Sequence, residues 1–198
     1  MSNSNAREGV PKARRYTLGK RAEKQELTRR RIVEAAVDLH TSVGPARTTI
    51  AQIAERAGVQ RHTFYAHFPS DRSLMVACSA LALERDPLPD VDDWAEHPAG
   101  LERLRRGLED LYAWYARNEQ LTSAVLRDAE VHDLTREIVQ LRMGPTFDRA
   151  AATLGNGLGE SPRALLAVAL NFACWRVLSG SFDVGEAAAL MARAVVAA

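Results

Sequence analysis

Apolar positions recur at helical spacing along most of this chain, and no stretch alternates apolar and polar residues as a half-buried strand would. A first helix is expected over 21–42, with Ile32, Ala35, Ala36 and Leu39 on one stripe. Thr48 stands where it would N-cap a second helix, whose Ile50, Ile53, Ala54 and Ala57 share a face. Gly58 then offers a helix-ending residue that tolerates positive φ, Val59 plugs the turn, and a short third helix opens at Gln60. Pro69 and Ser70 interrupt the chain before a fourth helix over 71–85. Pro87, Pro89, Asp90, Asp92 and Asp93 read as a loop, followed by helices over 98–117, 120–128, 131–153, 162–179 and 184–197. Gly144–Pro145 is expected to kink or break the third of these, and Ser161–Pro162 resembles an N-cap followed by Pro at the first helical position. Gly155, Gly157 and Gly159 lack a preceding strand and read as a linker. The class is all-α.

The segment 48–68, TTIAQIAERAGVQRHTFYAHF, is where this pattern acquires chemistry. Its second helix places Gln60, Arg61, His62 and Thr63, all able to reach base edges or phosphates, in consecutive positions. Phe64 and Phe68, four apart, anchor that helix from behind, while Tyr65 and His67 add donors suited to phosphate oxygens. A buried helical hairpin would carry an Ala–Gly–Val turn equally well, but it would not need so many polar donors on so short a helix. The reading is a helix-turn-helix that enters the major groove of double-stranded DNA.

At these residues the chain resembles the tetracycline-repressor (TetR) family of bacterial transcription regulators. RRRIVEAAVDLHTSVG at 29–44, TTIAQIAERAGV at 48–59 and TFYAHFPSDRSL at 63–74 carry the likeness. The resemblance implies an N-terminal helix-turn-helix domain and a C-terminal helical domain for effector binding and dimerisation. It also implies phosphate contacts from Thr48, Thr49, Tyr65 and His67, with base discrimination from Gln60, Arg61, His62 and Thr63. Three positions depart from the family pattern. Asp71 replaces a phosphate-meeting Lys, a role that passes to the neighbouring Arg72. His62 replaces a small residue or Pro, and Ala66 replaces a larger side chain.

Charge supports the same polarity. Residues 1–75 hold 14 Lys and Arg against 7 Asp and Glu, and residues 76–198 hold 12 against 18. A net of +7 at one end and −6 at the other is hidden in an overall +1. DNA is therefore expected at one end only. Residues 1–20 carry Arg7, Lys12, Arg14, Arg15 and Lys20 with almost no apolar periodicity. They read as a disordered basic arm, either following phosphates or simply solvated. The expected domains are this arm, a DNA-binding domain over 21–70, and an effector-binding and dimerisation domain over 71–198. Cys78 and Cys174 form no CxxC pair, and no segment resembles a signal peptide or membrane span, so a reducing cytoplasm is expected.

Two features of the acidic part suggest partners. ALLAVALNFACWRVL at 164–178 is apolar nearly all round, so one face should meet a second copy of the chain. Together with the small-residue helix over 184–197 it would form a four-helix bundle across a two-fold axis, giving a homodimer on an inverted-repeat operator. Large apolar residues in the body are candidates for lining a pocket for a small apolar or amphipathic effector. The candidates are Met75, Tyr115, Met143, Phe147 and Trp175, with Tyr112, Arg127 and Asn171 to fix orientation, although aromatics at this spacing equally suit an ordinary core. Glu130, His132 and Asp133 do not share a helical face, and HExxH, GxSxG and phosphate-cradling motifs are absent. No catalytic residue, metal or cofactor is therefore expected. The expected function is a sequence-specific DNA-binding regulator, a repressor released by a small molecule; the alternative is an architectural or assembly factor without an effector pocket.

Overall fold

The structure, a computed structural model, describes the backbone of residues 12–198 and the side chains from Lys20 onward. Helix α1 (Lys12–Ser42) begins nine residues ahead of the expected start at Arg21. Residues 12–20 thus continue the helix instead of forming part of a loose arm, as their Lys, Ala, Arg and Leu content permits once Pro11 is passed. The rest of the expected arm, residues 1–11, lies outside the described residues.

A 3-10 turn (Pro45–Arg47) leads into α2 (Ile50–Arg56) and α3 (Arg61–His67), and α4 (Asp71–Arg85) follows. These elements enclose one core, built from Ile32, Ala36, Ile53, Phe64, Phe68 and Leu74 with their neighbours. Helix α4 starts with a reciprocal capping box between Ser70 and Ser73. It then runs out of the head and into the body.

The body contains α5 (Val91–Ala95), α6 (Leu101–Arg117), α7 (Glu119–Ala129), α8 (Asp133–Leu154), α9 (Glu160–Ala169), α10 (Phe172–Leu178) and α11 (Val184–Ala197). Its separate core centres on Trp94, Leu104, Leu108, Tyr112, Tyr115 and Leu166, and α11 lies along α6. Three details differ from the sequence reading. The acidic loop contains α5, because Asp90 caps the N–H of Asp92 at 3.0 Å and Val91 and Trp94 bury one turn apart. Helix α8 passes Pro145 unbroken. Both Pro145 and Leu141, whose carbonyl loses its partner N–H, are exposed, so water can satisfy that oxygen.

The third difference is that the apolar run at 164–178 is two helices. Asn171 leaves helical geometry (φ −77°, ψ 134°), and its side-chain oxygen caps the N–H of Ala173 at 2.8 Å. The interruption frees two buried carbonyls. The Tyr112 hydroxyl donates to Ala169 O at 2.8 Å, and the Tyr115 hydroxyl donates to Leu170 O at 2.6 Å. The neighbouring cap also falls differently: α9 starts at Glu160 after Gly159, with no side-chain cap, so Ser161–Pro162 lies inside the first turn.

Candidate nucleic-acid interface and the cavity behind it

Local hydrogen bonds build the reading head residue by residue. Thr49, not Thr48, caps α2: its hydroxyl accepts from the N–H of Gln52, and Gln52 Oε1 accepts from the N–H of Thr49 at 2.8 Å. Thr48 is diverted because its hydroxyl donates to Gly44 O at 2.7 Å, closing the preceding 3-10 turn. At the other end of α2, Gly58 adopts φ 63°. The N–H of Val59 reaches Ala54 O at 2.9 Å and that of Gly58 reaches Glu55 O at 3.0 Å. This pair is the Schellman arrangement, and it aims the chain into α3.

Gln60 is the N-cap residue of α3 and makes no side-chain capping bond, so its amide is left for another partner. Phe64 and Phe68 are buried with ring centroids 6.0 Å apart, and Arg29 lies over the Phe68 ring at 5.0 Å. Opposite them, Gln60, Arg61, His62 and Tyr65 are exposed, while Thr63 and His67 are half-buried. Of the other residues expected to meet DNA, Thr49 is exposed and Thr48 half-buried. The guanidinium of Arg72 pairs with Glu137 of α8 at 2.8 Å, towards the body, in an exposed ion pair worth about 0–1 kcal/mol.

The matches to known proteins agree with this geometry. Residues 32–78 match the model of bacterial regulatory proteins of the tetR family. The chain is 30% identical over 131 residues to the transcriptional repressor KstR of Rhodococcus jostii, covering 65% of this chain and 59% of KstR. It is 31% identical over 130 residues to the regulator TtgR of Pseudomonas putida, covering 64% of this chain and 62% of TtgR. Residues 32–78 are a TetR-family helix-turn-helix segment. The chain spans less than two thirds of the length of these two relatives. Among solved structures, a TetR-like regulator from Rhodococcus sp. RHA1 superposes with a TM-score of 0.61 at 22% identity, covering 85% of this chain and 93% of that one. FadR of Bacillus subtilis, solved in complex with stearoyl-CoA, superposes with a TM-score of 0.59 at 16% identity, covering 84% of this chain and 96% of that one. At those identities the likeness establishes the fold: a helix-turn-helix domain joined to a helical C-terminal domain.

The junction of this TetR-type head with its body is held by Asp128 of α7, which is buried. Its carboxylate accepts from the N–H of Ala46 at 2.9 Å and from Arg127 Nε at 2.9 Å, and Arg127 Nη2 also reaches Val43 O at 3.1 Å. Gly44 sits against this pair at φ 102°, where a Cβ would collide with the Asp128 carboxylate and the Arg127 guanidinium. Arg127 is therefore a strut between head and body.

Beside the strut lies a cavity of about 100 Å³. Its walls come from α1, the 3-10 turn, α4, α6, α7 and α8, so elements of both head and body enclose it. Of the expected effector residues, Met75 and Met143 line it. Tyr115, Phe147 and Asn171 instead border an adjoining groove of about 400 Å³, which shares Leu126, Val139 and Met143 with the cavity. Tyr112 and Trp175 border neither space and belong to the packed core, where burial raises the Tyr112 hydroxyl pKa.

Six polar residues of the cavity wall escaped the sequence reading: His40, Ser79, Asn118, Thr122, Thr135 and Arg142. For His40 a signal existed, since it continues the four-residue stripe of Ile32 and Ala36 into the core. Burial pushes the His40 imidazole down to about 4, partly opposed by the nearby Asp128 carboxylate, so the ring is neutral near pH 7. The Cys78 thiol, also on the wall, is pushed up to about 12 by burial and is no nucleophile near pH 7. Among the described residues no helix is long and apolar enough to cross a membrane.

Proposed function

We propose that the protein is a homodimeric, sequence-specific regulator of transcription, a repressor whose hold on DNA is released by a small molecule. The observation that carries this reading is the outward face of α3. Exposed Gln60, Arg61, His62 and Tyr65 stand on a helix fixed from behind by Phe64 and Phe68, in a head whose α1 and α4 also wall a cavity shared with the body. Arg61 and its neighbours read base edges, while Tyr65, His67 and the threonines grip phosphates. An effector in the cavity touches α4 and α7 at once, and so changes how the head is carried relative to the body. Coupling of about 1–3 kcal/mol between the two sites changes operator affinity roughly five- to 150-fold.

Selection of bound sequences from a random DNA pool tests the first half. Wild-type protein is expected to select an inverted repeat. Arg61→Ala should relax one or two positions in each half-site, at about 1–3 kcal/mol for a lost bidentate contact. Tyr65→Phe should weaken binding to all sequences alike. An unchanged site for Arg61→Ala, with an altered one for Tyr65→Phe, would reverse these assignments.

The dimer reading rests on apolar side chains left bare on the last helices: Val177 is 79% exposed, Val168 52% and Val196 50%, with Phe182 close by at 41%. Trp175 and Val195 are buried within the subunit, so a charge at either would unfold it. Val177→Glu is the cleaner test. It should leave helicity and melting nearly unchanged and give a monomer at micromolar concentration in sedimentation. A dimer as stable as wild type would move the interface off this face.

A further inference from the structure

The wall of the head–body cavity carries a chemical preference. Its apolar part comes from Val37, Met75, Leu83, Leu121, Ile138 and their neighbours, which favour a hydrocarbon body. Its only charged residue is Arg142, and no Asp or Glu lines it. Arg142 is half-buried; its Nε donates to Ser79 Oγ at 3.1 Å and its Nη2 to Val76 O at 3.0 Å. Neither acceptor is an anion, and Arg142 takes part in none of the ion pairs among the described residues. A guanidinium held by neutral oxygens in an apolar setting is short of a counter-charge.

Two further wall residues point to a polar occupant. His40 is 5% exposed and Thr122 6%, and neither side chain has a hydrogen-bond partner among the described residues. No fully enclosed side-chain nitrogen or oxygen in the described structure lacks a partner, so the polar atoms of these two residues must open onto free space, and the cavity is the space they line. The neutral imidazole offers one donor and one acceptor, and the threonine hydroxyl offers both. The nearby Asp128 carboxylate is already engaged by Ala46 and Arg127, so it neither compensates Arg142 nor repels an anion strongly.

Resting on the effector reading above, we infer that the cavity takes a compact organic acid, with its carboxylate on Arg142 and its hydrocarbon body among the apolar side chains. His40 and Thr122 then bind a second polar atom of such a ligand where it has one. At roughly 10–15 Å³ for each water-sized centre, the space admits about seven to ten non-hydrogen atoms, the size of hexanoate or phenylacetate.

Calorimetric titration of the full-length protein with matched probes decides the matter. The pairs are hexanoate against hexan-1-ol and phenylacetate against 2-phenylethanol, with hexylamine as the cationic counterpart. Each acid is expected to bind about tenfold or more tightly than its alcohol, and the amine to bind weakest. Arg142→Met should erase the acid preference while keeping the alcohol, and Arg142→Lys should retain part of it. Circular dichroism melting checks that both variants fold. His40→Phe, which fills part of the space, should weaken every probe. Equal binding of acid and alcohol, or an acid preference surviving in folded Arg142→Met, overturns the organic-acid inference and leaves the effector site standing. Binding of no probe at millimolar concentration by protein that still selects an inverted repeat overturns both the inference and the cavity as effector site, and leaves the DNA-binding reading intact.

Discussion

Between pH 6.5 and 4 the wild-type protein is expected to lose stability that a His40→Leu variant keeps. The His40 ring is neutral when folded, pushed down to about 4 by burial, whereas in the unfolded chain it titrates near 6.5. Above pH 6.5 both states hold the ring neutral and its titration leaves stability unchanged. As pH falls below 6.5 the unfolded state binds a proton that the folded state refuses, so unfolding becomes easier until the folded value near 4 is reached. At pH 4.5 the difference amounts to about 2–3 kcal/mol, a large share of the roughly 5–15 kcal/mol that holds most domains folded. Carboxylates also titrate in this range, Asp86 among them, its pKa lowered chiefly by the Arg117 hydrogen bond. The measurement is therefore a difference: urea midpoints at pH 7 and 4.5 for wild type and for His40→Leu. Equal acid losses in the two proteins would show that His40 reaches water or a partner in the folded state.

Substitution of Tyr115 is expected to have the largest effect on the body. Its ring is 1% exposed and packs against Trp114, Phe147, Phe172 and Trp175 with centroid separations of 5.8, 6.5, 5.2 and 5.7 Å. Tyr115→Ala should destabilise by about 3–5 kcal/mol through lost packing and the cavity left behind. Tyr115→Phe isolates a different quantity. It keeps the ring but leaves Leu170 O without its donor at the junction of α9 and α10, a loss of about 1–3 kcal/mol. Chemical denaturation of the three proteins separates the two contributions. If the Phe variant matched wild type, the Leu170 carbonyl would have another partner, and the helix interruption would not depend on this hydroxyl.

The reading head was legible because its signals are local. A hydroxyl residue before an apolar stripe, a glycine after it and two phenylalanines four apart act within a few positions of one another, and the structure uses all of them. The capping residue was misplaced by one, since Thr48 and Thr49 have the same chemistry. Gly44 O, four residues back, takes the first and leaves the second for the cap. The body was less legible. ALLAVALNFACWRVL has the periodicity of one helix, and only the Asn171 cap and two tyrosine hydroxyls from α6 reveal two. The proposed pocket divided similarly: Met75 and Met143 meet at the cavity, while Tyr112 and Trp175 fill the core.

The amino-acid sequence by itself determined the all-helical class, the helix-turn-helix with its outward donors, and the basic head set against an acidic body. Helical periodicity, capping and net charge are properties of neighbouring residues or of simple sums over them. Only the tertiary structure decided that Arg72 turns to Glu137, that Asp128 holds the Gly44 turn, and that His40 on α1 and Arg142 on α8 share one cavity. Those residues lie far apart along the chain, and periodicity on one helix does not say which face of another it will meet. The cavity's polarity is thus a property of packing, visible only once five helices and the turn after α1 have closed around it.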